Sequence, residues 1–539
     1  MTPTKVLVLA IDAASPVLLE RWAEDGTLPN LRSLMTRGLV GSTRSVDGFH
    51  IGSTWPSWST GVTPARHGLH YLVQLRPGTY ETYRPSEEGL MKREPFWTHL
   101  SRAGRRVAVL DVPLSTVDRG LNGVQMVEWG GHDAVFGIES HPTDLAGRIL
   151  STFGAHPLAT PCDQIGRTLD GYRDFVDRLV AGVRARTKWT LDLLGRGGWD
   201  LFVQVFTEAH CVGHQCWHLH DPSHPANDSL FVAGLGDPLR SVYQAIDAGI
   251  GQLLVQAGDT RVVVLSLHGM SHAFGAQFLL RDLLIQLGVT QPLPTTPAPT
   301  GAAARASVAL RAAWRRLPRS MRDSIAPFKD RLLQRHTVST PPPLGVDAPR
   351  SRCFPHNNGL AVGGIRLNLA GREPNGLVEP GSVARAFEDE LRRDLLDIVD
   401  ERTRRPLIRR VLRTRDHYDG EHLKLLPDLL VEWDDVTPVG NSLVGRGVDA
   451  SVRAVSPKTG RVTGTNDFGR TGEHRPEGLF IAAGPGIRPR RLERSVSILD
   501  FAPTFATIFD VALPESDGTA IPEFVDGWRA GQLPREPVT

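Results

Sequence analysis

Short aliphatic runs alternate with longer amphipathic stretches along most of the chain. The aliphatic runs predict β-strands at residues 6–11, 106–111, 201–206, 261–266 and 478–483. The amphipathic stretches predict helices at residues 16–23, 29–37, 55–60, 96–103, 172–194, 239–256 and 383–398. Such alternation is typical of a parallel sheet with helices on both faces. We therefore predict an α/β fold with a mostly parallel central sheet.

The segment from Pro292 to Gly345 departs from this alternation. It is rich in proline at both ends, and residues 311–335 form a basic helical stretch between them. We predict an insertion or lid at residues 291–354, which interrupts a discontinuous domain formed by residues 1–290 and 355–525. Residues 526–539 are predicted to be a C-terminal tail. The basic stretch is either a solvated helix face, which we favour, or a surface for an acidic partner or a membrane.

Composition narrows the class of protein. The chain has 539 residues, of which 40% are hydrophobic and 22% are charged, as expected for a soluble globular protein. A net charge of +2 gives no field suited to nucleic acid. The first aliphatic run, residues 6–11, is too short for a signal peptide or a membrane span. Four cysteines are too few for a disulfide framework, so we predict a cytoplasmic location.

A hydroxyl-rich segment, residues 51–61, places Thr54 where an apolar loop becomes a helix. Pro56 fits the first turn of that helix, and Ser53 or Thr54 is a residue type that caps helix starts. Backbone N–H groups and the helix dipole at such a start favour an alkoxide or a phosphate-like anion. By itself the segment fits an ordinary N-cap, or it presents Thr54 as a nucleophile.

Several acidic and imidazole side chains follow the predicted strands, at the edge where open α/β sheets bind ligands. Asp12 and His268 each come just after a strand. His210 and His214 are four residues apart, so a helix would place both on one face, as in many zinc sites. A hydrogen-bonded surface cluster is the alternative. His474 precedes the last strand and is, by itself, an ordinary loop histidine.

Taken in chain order, these residues resemble a known arrangement. The matching stretches are residues 9–13, 54–68, 210–214, 266–270, 363–376, 427–433 and 472–487. On these stretches the chain resembles the alkaline phosphatase superfamily, and most closely its branch of type I phosphodiesterases and nucleotide pyrophosphatases. The resemblance spans most of the chain outside Pro292 to Gly345 and the extreme C-terminus. It implies an alkaline-phosphatase-like catalytic domain.

The resemblance also implies a pair of divalent metal ions, commonly Zn²⁺, with Mn²⁺ as an alternative. One ion would be bound by His210, His214 and His474, and the other by Asp12, the Thr54 hydroxyl and His268. Thr54 would attack phosphorus, and water would then hydrolyse the phospho-threonine intermediate. The expected partner is a small phosphate ester, with no nucleic acid.

Two positions depart from the family pattern. The family usually has Asp where this chain has His210, and Asp where it has Leu267. The first exchange keeps a ligand, but leucine cannot bind metal, so the ion beside Thr54 is expected to be weaker or different. His272, His50 and Asp467 are candidate replacement ligands.

Leu267 also raises an alternative from another class, a catalytically weak homologue that acts as a binding or scaffolding module. A phosphomonoesterase or phosphotransferase of the same superfamily is a second alternative. A sulfatase would need a modifiable cysteine or serine in a Cys/Ser-x-Pro-x-Arg setting, which the segment from Thr54 to Trp58 lacks. Cofactor-independent phosphoglycerate mutases share the metal-bearing core, but they use a serine nucleophile.

Overall fold

The structure of the chain is a computed structural model that describes residues 4–85, 91–130, 137–158, 163, 167–294, 343–444 and 448–530. Its strands are β1 Val6–Ile11, β2 Leu39–Arg44, β3 Gln74–Leu75, β4 Thr82–Tyr83, β5 Val107–Leu110, β6 Gly123–Val127, β7 Glu139–His141, β8 Leu201–Phe206, β9 Arg261–Ser266, β10 Gly269–His272, β11 Cys353–His356, β12 Val362–Leu367, β13 Val399–Asp400, β14 Ile408–Arg413, β15 Leu429–Trp433, β16 Ser451–Ser456, β17 Gly460–Thr465, β18 Gly472–Arg475, β19 Glu477–Ala483, β20 Arg490–Arg491 and β21 Val496–Ser497. Its helices are α1 Pro16–Glu24, α2 Pro29–Arg37, α3 Thr54–Thr60, α4 Pro64–His67, α5 Phe96–Arg102, α6 Leu145–Phe153, α7 Leu169–Leu194, α8 Glu208–His220, α9 Ser229–Leu235, α10 Pro238–Ala257, α11 Leu280–Gln286, α12 Ser382–Leu396, α13 Thr414–His417, α14 Phe501–Ile508 and α15 Pro522–Ala530.

A mixed central sheet runs in the order β20-β2-β19-β9-β1-β8-β5-β6-β7, with β21 also beside β2. The five strands from β9 to β6 in this order pair in parallel. β19 is antiparallel to both of its neighbours, and β7 is antiparallel to β6. All five strands predicted from the aliphatic runs lie in this sheet. The mostly parallel sheet is therefore confirmed.

Helices cover both faces of the sheet because alternate residues of each central strand face opposite sides. On β1, Leu7 and Leu9 belong to one apolar core, which α1, α2, α7, α8 and α10 complete. Val6 and Val8 belong to a second core on the other face, with residues of α3, α5, α14 and α15. Residues at the carboxyl end of β1 are thus held from both sides.

A smaller antiparallel sheet, in the order β11-β12-β15-β14, forms a third apolar core with α11 and α12. Strand β11 crosses the predicted lid boundary at residue 354, since it pairs with β12 from Cys353 to His356. Helix α15 crosses the predicted boundary at residue 525. Its Trp528 is 4% exposed and packs edge-on against Phe509.

Most of the predicted lid lies outside the described residues, because residues 295–342, including the basic stretch, are not among them. The lid therefore stays a prediction. Of the cysteines, Cys211, Cys216 and Cys353 are buried, and Cys162 lies outside the described ranges. No helix in the described part of the chain has the length and apolar composition needed to cross a bilayer.

Candidate active site

The predicted site residues are brought together at the carboxyl edge of three adjacent strands. Asp12 directly follows β1, and α8, which carries His210 and His214, follows β8. His268 follows β9, on the other side of β1. β10, which directly follows His268, pairs antiparallel with the distant β18, so that His474 lies opposite Met270. Parallel strands end at one edge of a sheet, so residues far apart in sequence become neighbours.

The three histidines predicted for one metal ion form a buried cluster. The ring centroids of His210, His214 and His474 are 4.7–4.8 Å apart, and nitrogens of the three rings lie within 4.8 Å of one another. Close backbone contact makes this possible, because a Cβ on Gly472 would lie only 2.2 Å from the carbonyl oxygen of Gly213. Helix α8 therefore approaches β18 more closely than a side chain there would allow.

The hydrogen bonds of this cluster suit metal binding. His214 donates through Nδ1 to the carbonyl oxygen of Gly472 (2.8 Å), and Arg470 lies 3.3 Å from His214 Nε2. This tautomer leaves the Nε2 lone pair as an acceptor, which a metal ion would use. His474 Nδ1 is buried and has no hydrogen-bond partner among the described residues. An orphaned imidazole nitrogen beside two others fits a divalent ion such as Zn²⁺.

For two histidines of the site, burial lowers the pKa and so favours the neutral ring, which is the form that binds metal. It holds the pKa of His474 well below the usual range, and positive charge on His214 and His268 would lower it further. Burial also lowers the pKa of His268 to about 4, although the carboxylate of Asp12 acts in the opposite direction. The His268 ring centroid is 4.7 Å from that of His474.

Thr54 is the first residue of α3, one residue earlier than predicted, and its side chain is fully buried. Ser53 occupies the N-cap position but makes no side-chain capping bond. The Thr54 hydroxyl is 3.2 Å from the hydroxyl of Ser45. The Trp55 indole N–H donates to Asp12 Oδ1 (2.9 Å), which ties the start of α3 to the end of β1. Thr54 is thus held beside the histidine cluster, and its hydroxyl is not used as a cap.

A buried hydrogen-bond chain, which the sequence did not reveal, anchors the first turn of α3. His67 Nδ1 accepts from the backbone N–H of Leu69 (3.2 Å), so its Nε2 donates to the Ser57 hydroxyl (2.9 Å). Ser57 is in turn 3.0 Å from the Ser53 hydroxyl. Burial lowers the pKa of His67 to about 3 and keeps this ring neutral. Only the Pro-Ala-Arg-His-Gly sequence of α4 hinted at this role.

A buried ionic network supports the start of α8. Arg186 of α7 is fully buried, contacts Asp111, and donates to Glu208 (3.1 Å) and to the Thr207 hydroxyl (3.0 Å). Glu208 is the first residue of α8, two positions before His210. No sequence pattern indicated this network, because Arg186 is one of many charged residues on an amphipathic helix.

The three residues predicted to replace the metal ligand missing at position 267 lie in different surroundings. His50 is 5% exposed, and neither of its ring nitrogens has a hydrogen-bond partner in the described part of the structure. Burial, together with nearby His268, lowers its pKa to about 3. His272 Nε2 lies 3.2 Å from the carbonyl oxygen of Asp435. Asp467 is exposed.

Comparisons with known proteins agree with the resemblance seen in the sequence. Residues 6–336 match the family model described as type I phosphodiesterase / nucleotide pyrophosphatase. Among solved structures, human ectonucleotide pyrophosphatase/phosphodiesterase 5 is similar at 12% identity and a TM-score of 0.48, covering 98% of this chain and 100% of that chain. Phosphonoacetate hydrolase from Sinorhizobium meliloti is similar at 15% identity and a TM-score of 0.48, covering 98% of this chain and 95% of that chain. Both TM-scores are below 0.5, so neither structure indicates a substrate. A search of curated proteins found no match.

Proposed function

Because the chain belongs to the type I phosphodiesterase / nucleotide pyrophosphatase family, we propose that it is a metal-dependent hydrolase of small phosphate esters, acting on diesters through a phospho-threonine intermediate. One observation carries the proposal. The buried hydroxyl of Thr54 is joined to the three-histidine cluster through Trp55 and Asp12. A candidate nucleophile and a candidate metal site are therefore both buried and are linked by hydrogen bonds through Asp12.

The proposed roles follow from the contacts. Thr54 Oγ1 loses its proton to solvent and forms a bond to phosphorus as the bond to the leaving oxygen breaks, and Ser45 orients the hydroxyl for this attack. Water then attacks the same phosphorus and releases Thr54. His210, His214 and His474 would hold the ion, with Zn²⁺ favoured by three imidazoles and Mn²⁺ the alternative. A bound divalent ion would stabilise negative charge on the oxygens around phosphorus.

A second candidate function is favoured by Leu267, which is fully buried where the family usually has a ligand. It is a catalytically weak homologue that acts as a binding or scaffolding module. A phosphomonoesterase or phosphotransferase activity of the same superfamily would use the same Thr54 chemistry. The low cysteine content supports our proposal of a cytoplasmic location.

Turnover of bis-p-nitrophenyl phosphate by purified protein, with Zn²⁺ or Mn²⁺ added, tests the proposal. Thr54→Ala is expected to lower the rate by at least about 1,000-fold, because it removes the hydroxyl that we propose as the nucleophile. Thr60→Ala is the matched control, since it removes a buried hydroxyl that binds only the Pro56 carbonyl at the other end of α3. It is expected to stay near the wild-type rate.

Metal content is measured for each variant, so that a lost ion is not mistaken for a lost nucleophile. Turnover by Thr54→Ala at the wild-type rate would contradict the role of Thr54. A wild-type protein that hydrolyses neither mono- nor diesters with any of several metals would favour the binding module.

A further inference from the structure

We propose that the chain holds one divalent ion, bound by His210, His214 and His474, and that Asp12 positions His210 instead of binding a second ion. This inference rests on the proposed function in requiring a metal ion at the three-histidine site. It departs from the two-ion arrangement that the resemblance implies. Two features of the site support it. The carboxylate of Asp12 has a contact on each side, and position 267 is a leucine.

The carboxylate of Asp12 already has two partners. Its Oδ2 accepts a hydrogen bond from His210 Nδ1 (2.7 Å), and its Oδ1 accepts one from the Trp55 indole (2.9 Å). His268 Nε2 is farther away, 4.0 Å from Oδ1. A histidine that donates through one ring nitrogen to a carboxylate, and binds metal through the other, is a common arrangement in metalloproteins. Asp12 therefore has the geometry of a carboxylate that orients a metal-binding histidine.

The three-histidine site is oriented in the same way by a second acceptor. His214 Nδ1 donates to the carbonyl oxygen of Gly472, which leaves Nε2, now 3.3 Å from Arg470, as the nitrogen that would bind the ion. Two of the three rings thus have an outer acceptor on the nitrogen that faces away from the ion. Three imidazoles leave an open position for water or substrate, as in catalytic zinc sites.

The side of the site near Thr54 has fewer metal ligands and less negative charge to bind a cation. Leu267 is fully buried, and it lies in the same apolar cluster as Phe49 and Trp55, the neighbours of His50 and Thr54. Of the six side chains that the resemblance assigns to the two ions, only Asp12 is a carboxylate. One negative charge, already engaged by His210, would have to offset two adjacent dications. Uncompensated repulsion between the ions disfavours the second one.

The metal count of the purified full chain tests this proposal. The protein is dialysed to equilibrium against a series of buffered Zn²⁺ concentrations, and the ions per chain are counted by inductively coupled plasma mass spectrometry. We expect the wild type to saturate at one ion per chain. Saturation at two ions, over the range of free Zn²⁺ that fills the first site, would overturn the proposal.

Substitutions at position 267 give the matched pair of variants. Leu267→Asp restores a carboxylate and is expected to raise the count to two. Leu267→Asn has nearly the same shape without the charge and is expected to stay at one. A count of one in Leu267→Asp would also contradict the proposal, because the missing charge would not then explain the missing ion. Thermal unfolding with and without Zn²⁺ confirms that both variants are folded.

The positioning role of Asp12 has a separate readout that does not depend on position 267. Asp12→Ala is expected to lower the Zn²⁺ affinity of the single site by about 10- to 100-fold, the usual effect of losing an outer carboxylate partner. Asp12→Asn keeps an acceptor oxygen, so its Zn²⁺ affinity is expected to lie between those of Asp12→Ala and the wild type. The visible spectrum of the Co²⁺-loaded protein should change in Asp12→Ala and return toward the wild type in Asp12→Asn.

A ligand role for Asp12 predicts the opposite pattern. Asp12→Ala would then remove one ion of two and leave the affinity of the three-histidine site unchanged. None of these measurements uses substrate, so their outcome is independent of whether Thr54 is a nucleophile. Failure of the hydrolase proposal, seen in turnover assays, is therefore distinguishable from failure of the one-ion proposal.

Discussion

The two sides of the candidate site are built differently. On the side of His210, His214 and His474, a 13-residue helix and the two-stranded sheet of β10 and β18 hold three rings, and backbone or carboxylate acceptors orient two of them. On the side of Thr54, a seven-residue helix presents one hydroxyl, which has a serine as its neighbour. The first side is suited to holding a cation, and the second to holding a nucleophile. We infer that these two tasks are separable in this chain.

The largest effect is expected from His214→Ala, which removes a ring from the centre of the cluster. Zn²⁺ affinity should fall by more than the roughly 10- to 100-fold expected for an outer partner. Competition with a chromophoric chelator measures the loss. The control is His220→Gln on the same helix, because His220 pairs with Asp237 and lies outside the cluster. Equal affinity in His214→Ala and the wild type would show that the cluster is not the metal site.

A second prediction concerns the ionic network under α8. Arg186→Met leaves the carboxylates of Asp111 and Glu208 without their buried cation. The free energy of unfolding should fall by about 3–5 kcal/mol, the typical cost of breaking a buried ion pair. Urea unfolding of the apoprotein measures it. Arg184→Met, an exposed position on the same helix, should change the free energy by no more than about 0.5 kcal/mol. A similar small change in Arg186→Met would mean that the network does not support α8.

The smallest effect is expected in the pH dependence of the free energy of unfolding of the apoprotein. It arises from His67, in the hydrogen-bond chain that anchors the first turn of α3. Burial lowers the pKa of His67 to about 3 in the folded chain, whereas an unfolded histidine titrates near pH 6.5. Between these values the unfolded state binds more protons, so the free energy of unfolding falls as the pH is lowered. Each such histidine contributes a slope of up to about 1.4 kcal/mol per pH unit.

His67→Gln should reduce this slope by the contribution of one histidine, because glutamine does not titrate. The glutamine amide can still donate to Ser57, so the hydrogen-bond chain is kept. Unfolding measured in urea from pH 7 to pH 4 gives the slope for both proteins. An unchanged slope in His67→Gln would mean that His67 is already protonated in the folded chain, which would break the hydrogen-bond chain assigned to α3.

Much of the fold was predictable because it depends on local pattern. The predicted strands lie in the central sheet, and the helix starts and ends moved by a few residues at most, as for α3 and α12. Strand β2 escaped prediction because its sequence, Leu-Val-Gly-Ser-Thr-Arg, alternates poorly. Packing explains the glycine at position 41 of that strand, because a Cβ there would lie 2.4 Å from the Phe480 ring.

The residues that the fold brings together could be named from the sequence, but the contacts between them could not. Asp12 and His210 are 198 positions apart, and their hydrogen bond depends on how β1 and β8 align. Ring tautomers depend on acceptors such as the Gly472 carbonyl, which no residue pattern encodes. The sequence therefore indicated which side chains meet, whereas the proposed role of Asp12 in positioning His210 depends on contacts that only the structure shows.

The configuration at phosphorus tests the central claim, attack by Thr54, most directly. A diester made chiral at phosphorus by one sulfur atom is hydrolysed by the metal-loaded wild type in ¹⁸O-labelled water, and the configuration of the product is determined. Each in-line displacement inverts phosphorus, so attack by Thr54 followed by attack by water predicts net retention. Net inversion would show that water attacks the substrate directly, and it would contradict the assignment of Thr54 as the nucleophile.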